Sequence, residues 1–330
     1  MESSKSLVRN ALLTLKHNVQ RTGDPLGFGS DYWSSWASGL NLPHEGNTLL
    51  FTSRMYQMLP YVLSATHMVS SLKPFLRFKR LEWALSIGNR VMGEPILRWK
   101  ARQYSELKQR VEKSLLGIMR ALKQVGCHPA FLYESEPYSG ALLHDLGMED
   151  PLKAHINTVY KILLMNGTKE ILTVDPHTTH ILKDIYPQHI GNFELKVSHY
   201  LERLTHNSNK LSVFSSRLPL SELVIHDSCI MTRNLAIIEQ ARTILRQFGI
   251  KVVEADNNRL NTACCGGPVE YAFGDLSEQI SKIRIEELAS FSKNILVTCP
   301  ICLINFMKHE ERLGIRVWDI GEILFSALTN

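Results

Sequence analysis

No run of eighteen apolar residues occurs in the chain, which excludes a helix that spans a bilayer. The opening residues, MESSKSLVRNALLTLKHNV, lack the apolar centre and small-residue cleavage site of a signal peptide and read as an amphipathic helix. The expected location is therefore the cytoplasm, where thiols stay reduced and open to metal. Neither charge sign dominates, since Lys and Arg exceed Asp and Glu by only five. No nucleic-acid motif is present, and the aromatics do not interleave with basic residues as a base-stacking platform does, so no nucleic-acid partner is expected. Cysteine is sparse as well, at six in 330 residues, and five of these fall in one pattern, an odd number that suits disulfides poorly.

That pattern is Cys229, then Cys264-Cys265-Gly266-Gly267, then Cys299-Pro300-Ile301-Cys302. Soft thiolates drawn from three separated segments are what an iron–sulfur cluster or a zinc ion requires. Adjacent cysteines diverge, which favours an object several ångströms across over a lone zinc that takes four ligands. Cys127 stands outside the pattern and reads as a small buried hydrophobe.

With 44% apolar and 21% charged residues the chain is globular and long enough for two domains. It also repeats itself. Gly167–Lys183 reads against Ser292–Lys308, each an apolar run, a break at proline and a helical pattern. Leu49–Met55 reads against Leu223–Cys229, a strand entering a loop. Gly126 and Gly249 each follow a basic helix end and precede an extended apolar segment, Pro129–Tyr133 and Ile250–Glu254. Strands alternating with helices predict α/β units with mostly parallel sheets. The cysteines would then lie in loops at the carboxyl ends of strands, where such folds bind ligands.

His226-Asp-Ser-Cys229-Ile-Met-Thr-Arg233, Ala263-Cys-Cys-Gly-Gly267 and Cys299-Pro-Ile-Cys302 together closely resemble the cysteine-rich CCG domain of heterodisulfide reductase catalytic subunits and related iron–sulfur oxidoreductases. The resemblance covers about 45–330. It implies an α/β fold, a tandem pair of pseudo-symmetric Rossmann-like CCG domains with mostly parallel sheets, plus helical N-terminal and inserted segments. The expected division is 1–45 as a helical linker, 46–190 as a degenerate CCG domain with a helical insertion at 58–115, and 191–330 as the intact domain. Thr22–Gly27 and Trp33–Leu40 are similar to the link that precedes the CCG pair in the D-type subunit, although no Cys-x-x-Cys-x-x-Cys run of a ferredoxin module is present.

In the B-type relatives each CCG domain holds a non-cubane [4Fe–4S] cluster on five cysteines. The resemblance thus implies Cys229, Cys264, Cys265, Cys299 and Cys302 as ligands of one such cluster, with zinc as the alternative. In the first half Met55 stands where the first cysteine is expected. Glu136-Pro-Tyr138-Ser139-Gly140 stands at the tandem pair, and Asp175 and Thr178 at the Cys-x-x-Cys. The family splits a disulfide between two clusters, so one cluster implies a modified role. The expected role is thiol, disulfide or sulfur-carrier redox chemistry within a complex, with a ferredoxin-like iron–sulfur subunit and a flavoprotein subunit as partners.

His226, Asp227 and Arg233 are expected around the cluster, as hydrogen-bond donors, substrate orienters or charge balance. His144, Asp175, His177 and His180 read as a polar helix cap, with a second hard-metal site as the alternative. Lys and Arg gather in 73–123. A solvated helical face is the plain reading, and peripheral contact with the inner face of the cell membrane the alternative. Two other functions remain open, a zinc- or cluster-holding adaptor of a respiratory dehydrogenase and a quinone-linked electron carrier at the membrane surface.

Overall fold

A computed structural model of the chain describes residues 2–29, 32–72, 95–211, 218, 220–267, 270 and 273–328. The chain is α/β, with two parallel sheets flanked by helices. One sheet has the order β1 (Thr48–Phe51), β2 (Glu170–Thr173), β3 (Lys196–His199). The other runs β5 (Lys251–Val253), β4 (Glu222–His226), β6 (Asn294–Val297), β7 (Arg316–Asp319). Strands such as Leu-Leu-Phe in β1 and Leu-Val-Ile-His in β4 are continuously buried, as parallel strands covered on both faces must be.

The sheets repeat one another. Leu49 pairs with Ile171, and Val224 with Ile295. Asp175 and Cys299 each cap a helix that begins with proline, α6 (Pro176–His180) and α11 (Pro300–Met307). β3 and β7 each enter a helix through a capping box, His199 with Glu202 on α7 (Tyr200–His206) and Asp319 with Glu322 on α12 (Ile320–Ala327). Where the second sheet has β5, the first has only a parallel bridge from Leu49 to Ala130. The extended segment expected at Pro129–Tyr133 is therefore one bridge followed by a helical turn at Tyr133–Ser135. β3 pairs with β2, so the first sheet runs past the expected boundary at 190.

Helices cross between the halves. α3 (Ser105–Gln124) belongs to the first half and packs on α12 of the second. In the reciprocal arrangement α9 (Gln240–Gln247) packs on α7. Gly117 and Gly321 allow α3 and α12 to touch: a Cβ on Gly117 would lie 2.1 Å from the Gly321 carbonyl oxygen. Arg110 crosses the same seam to Glu322 at 2.9 Å and Glu310 at 3.4 Å. Arg110 is thus buried inside the molecule, while Arg102, Lys108, Lys113 and Lys123 of the basic run are exposed and 73–94 lies outside the described residues. One apolar core runs from Leu50, Tyr56 and Leu172 through α3 and α12 to Leu223, Leu296 and the cysteines. No helix among the described residues is long and apolar enough to cross a membrane.

Candidate metal centre

Three loops leave the carboxyl ends of β4, β5 and β6 and converge, as the strand pattern predicted. The loop after β4 delivers Cys229 to the start of α8 (Cys229–Arg233). The segment after β5 carries Cys264 and Cys265. Cys299 caps α11, and Cys302 follows one turn on. The five thiols form one chain of contacts: Cys229 with Cys264, Cys264 with Cys265, Cys265 with Cys302, and Cys302 with Cys299. The Cys265 and Cys302 sulfurs lie 3.2 Å apart. Cys265, Cys299 and Cys302 are buried, while Cys229 and Cys264 are half-buried and form the open side.

Backbone geometry serves this convergence. Gly266 takes φ +83, and a Cβ there would meet the Ser277 carbonyl oxygen at 2.6 Å. Its amide donates to the Cys264 sulfur at 3.3 Å. Hydrogen bonds from Cys229 and Cys265 hold the Cys264 thiol far below its ordinary pKa. Burial pushes Cys299 upward, but hydrogen bonds with Cys302 and His177 outweigh it and hold that thiol low as well. Cys229, Cys265 and Cys302 are raised, chiefly by sharing protons with their neighbouring cysteines. A cation would take the place of those shared protons.

The residues flanking the cysteines divide into two groups. Asp227 is spent on structure: its carboxylate holds Arg242 at 2.8 Å through both oxygens and accepts from the Arg259 amide at 2.7 Å. Arg242 also grips Glu254, which ties the β4 exit to the segment leading to Cys264. Arg233 likewise donates to the carbonyls of Leu260 and Thr262. Both residues thereby hold the segment that leads into the Cys264 loop. His226 lies beside the sulfurs, with a ring nitrogen and the sulfurs of Cys265 and Cys302 all within 4.8 Å of one another. Burial and the nearby Arg284 hold its pKa down at about 3, so the ring is neutral.

Two residues of the centre were not singled out by the sequence reading. Arg284, on α10 (Gly274–Phe291), is 1% exposed and reaches His226. A signal for it existed, because Ser277, Ser281, Arg284, Ile285 and Leu288 fall on one buried helical stripe, where an arginine is out of place. Asn305 donates to the Cys265 carbonyl at 3.2 Å. His177, expected in a helix cap or a second metal site, lies against Cys299 from the other half while its Nδ1 meets Asp145 at 3.0 Å. His180 pairs with Asp184 at 2.7 Å, and Asp175 caps α6 through the Thr178 amide. His144, Asp175, His177 and His180 do not gather as a second metal site among the described residues.

The equivalent place in the first half is filled without thiols. Arg54 lies five residues beyond Leu49, as Cys229 lies five beyond Val224, so Arg54 rather than Met55 holds the first cysteine position. Met55 packs instead beside Phe28, Trp33 and Tyr61. Arg54 pairs with Asp24 at 3.0 Å and donates to the Glu136 carbonyl. The Glu136 carboxylate accepts from the Thr52 amide and hydroxyl at 2.5 and 2.7 Å. Ser139 meets Ser53 at 2.7 Å, and Gly140 keeps the positive φ of its counterpart Gly266. A cavity of about 580 Å³ opens beside this network, lined by Lys16, Val19, Arg54, Glu136, His155 and Ile162 among others.

Residues 223–307 match the family of the cysteine-rich domain, CCG. The chain is 26% identical over 225 residues to the EtfAB:quinone oxidoreductase of Syntrophomonas wolfei, covering 64% of this chain and 31% of that protein. It is 26% identical over 224 residues to the probable iron-sulfur-binding oxidoreductase FadF of Bacillus subtilis, covering 65% and 31%. It is 25% identical over 270 residues to a probable membrane-anchored ferredoxin of Chromohalobacter salexigens, covering 76% and 39%. The chain thus spans about a third of the length of these relatives.

Proposed function

We propose that this chain, which carries the cysteine-rich CCG domain and resembles iron–sulfur oxidoreductases, is a one-cluster electron-transfer unit of a larger oxidoreductase system. Cys229, Cys264, Cys265, Cys299 and Cys302 would hold an iron–sulfur cluster, a non-cubane [4Fe–4S] cluster on the family resemblance. The observation that carries this reading is the unbroken contact chain of five thiols, closed on its inner side and open at Cys229 and Cys264. The donor set fits the group: it is all thiolate, larger than a zinc ion needs, and backed by the unpaired ring nitrogen of His226.

An iron–sulfur cluster supplies one-electron transfer between partners. The protein's part would be to gather the thiolates, keep water from Cys265, Cys299 and Cys302, and leave the Cys229–Cys264 edge open to a partner. That partner would be a flavoprotein or ferredoxin-like subunit, in keeping with the relatives' names. Because polar residues fill the first half's equivalent site, relay between a flavoprotein and an acceptor such as quinone is favoured over splitting a disulfide between two clusters. Reduction of a thiol-derived disulfide or sulfur carrier is the second reading, supported by the heterodisulfide reductase resemblance. It needs two electrons and two protons per disulfide, delivered one electron at a time.

Anaerobic purification followed by iron, sulfide and zinc analysis with visible and electron paramagnetic resonance spectra tests the proposal. The expected result is iron with sulfide and a broad visible band. Cys264→Ser should deplete both, and Cys127→Ser should leave them intact. Stoichiometric zinc without iron would sink the reading. Equal loss from both variants would overturn the ligand assignment. Turnover with quinone against turnover with low-molecular-weight disulfides separates the two roles.

A further inference from the structure

We propose that His226 and Arg284 form a hydrogen-bond relay that donates an N–H to the Cys265–Cys302 sulfurs and raises the reduction potential of the centre, with His226 acting as a donor and not as a metal ligand. The inference rests on the reading that these thiols hold an iron–sulfur cluster.

The argument begins with a tautomer. Arg284 Nε lies 3.4 Å from His226 Nδ1. A guanidinium nitrogen only donates, so Nδ1 is the bare nitrogen, and the proton of the neutral ring sits on Nε2. His226 is 1% exposed, and its Nε2 has no hydrogen-bond partner in the protein. A buried N–H without an acceptor is costly, by about 1–3 kcal/mol. The nearby soft acceptors are the sulfurs of Cys265 and Cys302, which with a His226 ring nitrogen form a triangle no wider than 4.8 Å. A protonated Nε2 has no free lone pair, so the ring cannot ligate iron through that nitrogen.

The relay is held from behind. Arg284 Nη2 donates to the Asn257 carbonyl at 2.7 Å, and Nη1 lies 2.7 Å from Glu287. The His226 ring packs edge-on against Phe306, centroids 4.7 Å apart, so it cannot swing away. An N–H dipole aimed at sulfur, backed by a buried guanidinium, stabilises the more negative reduced state. Hydrogen bonds to cluster sulfurs set potential in this way.

The test uses the full chain, purified anaerobically, with three variants. His226→Leu removes the donor, His226→Gln keeps a donating amide, and Arg284→Met removes the lock and its charge. Iron content, potential by redox titration, and exchangeable-proton coupling by electron–nuclear double resonance are read for each. The expected result is full iron in His226→Leu with a more negative potential and loss of one exchangeable coupling. His226→Gln should recover part of both, and Arg284→Met should shift potential in the same direction as His226→Leu. An unchanged potential in an iron-replete His226→Leu protein overturns the relay. Iron loss in both His226 variants, with their helix content intact, overturns it also, because it makes His226 a ligand. A wild-type protein without iron defeats the underlying reading instead, which is a separate outcome.

Discussion

Glu136 is a buried carboxyl held among polar neighbours at the first half's counterpart of the thiol cluster. Its carboxyl is 2% exposed and burial pushes it from 4.5 up to about 7, against the hydrogen bonds from Thr52 and Ser53. The folded state therefore binds a proton that the unfolded chain has released between those two values. The stabilisation this gives is fully present below about pH 4.5 and is lost as pH rises through about 7. Asp175 and Asp319, raised by burial to about 6 and about 7, act in the same direction. The urea midpoint should fall between pH 5.5 and 8, and Glu136→Gln should make that fall shallower, since a neutral amide can satisfy Thr52 at either pH. An identical fall in the variant would remove Glu136 from the account. At this scale the sequence was legible for the five cysteines, whose sulfurs the fold brings together. It was less so for Arg54, because Met55 and Arg54 differ by one place and only the pairing of Leu49 with Ile171 sets the register. Asp227 and Arg233 lay near the cysteines in sequence, yet their partners, Arg242 and the 260–262 carbonyls, come from other segments.

Among the elements, α3 and α12 carry the tightest contact between the halves. A Cβ on Gly117 would stand 2.1 Å from a backbone oxygen and 2.6 Å from the Phe325 amide nitrogen, and backbone cannot step aside as a flexible side chain does. Gly117→Val should therefore force the helices apart and cost about 1–3 kcal/mol or more, the ordinary penalty of overpacking. Thermal unfolding monitored by circular dichroism measures it. A melting temperature within a degree of wild type would show that the helices separate freely. Gly117 is a poor helix former in the middle of α3, and that local cost was visible in the sequence, while the reason for it was not. Strand–turn–helix units were legible because an apolar run, a proline and a 3.6-residue period all lie within about twenty residues. The reciprocal packing of α3 on α12 and α9 on α7 joins segments about two hundred residues and forty residues apart, and no local pattern encodes such a partner.

For the whole molecule, one apolar core is shared between the two halves. Tyr56 of the first half donates to Asp319 of the second at 2.8 Å, both fully buried. Arg110 spans from α3 to Glu322 and to the Val317 carbonyl. The apolar cluster that contains Cys265, Cys299 and Cys302 also contains Leu115, Ile118 and Leu122 of α3. Opening the first half would therefore expose α12 and loosen the sheet that carries β4 and β6. Loss of the visible band and loss of helix should then follow one denaturant transition, measured anaerobically by absorption and circular dichroism on the same sample. Gly117→Val, although it changes no residue of the centre, should move both curves to lower denaturant together. If helix is lost in two steps, with the band surviving the first, the second half stands alone. The first half would then be an attached remnant rather than half of the scaffold that holds the thiols.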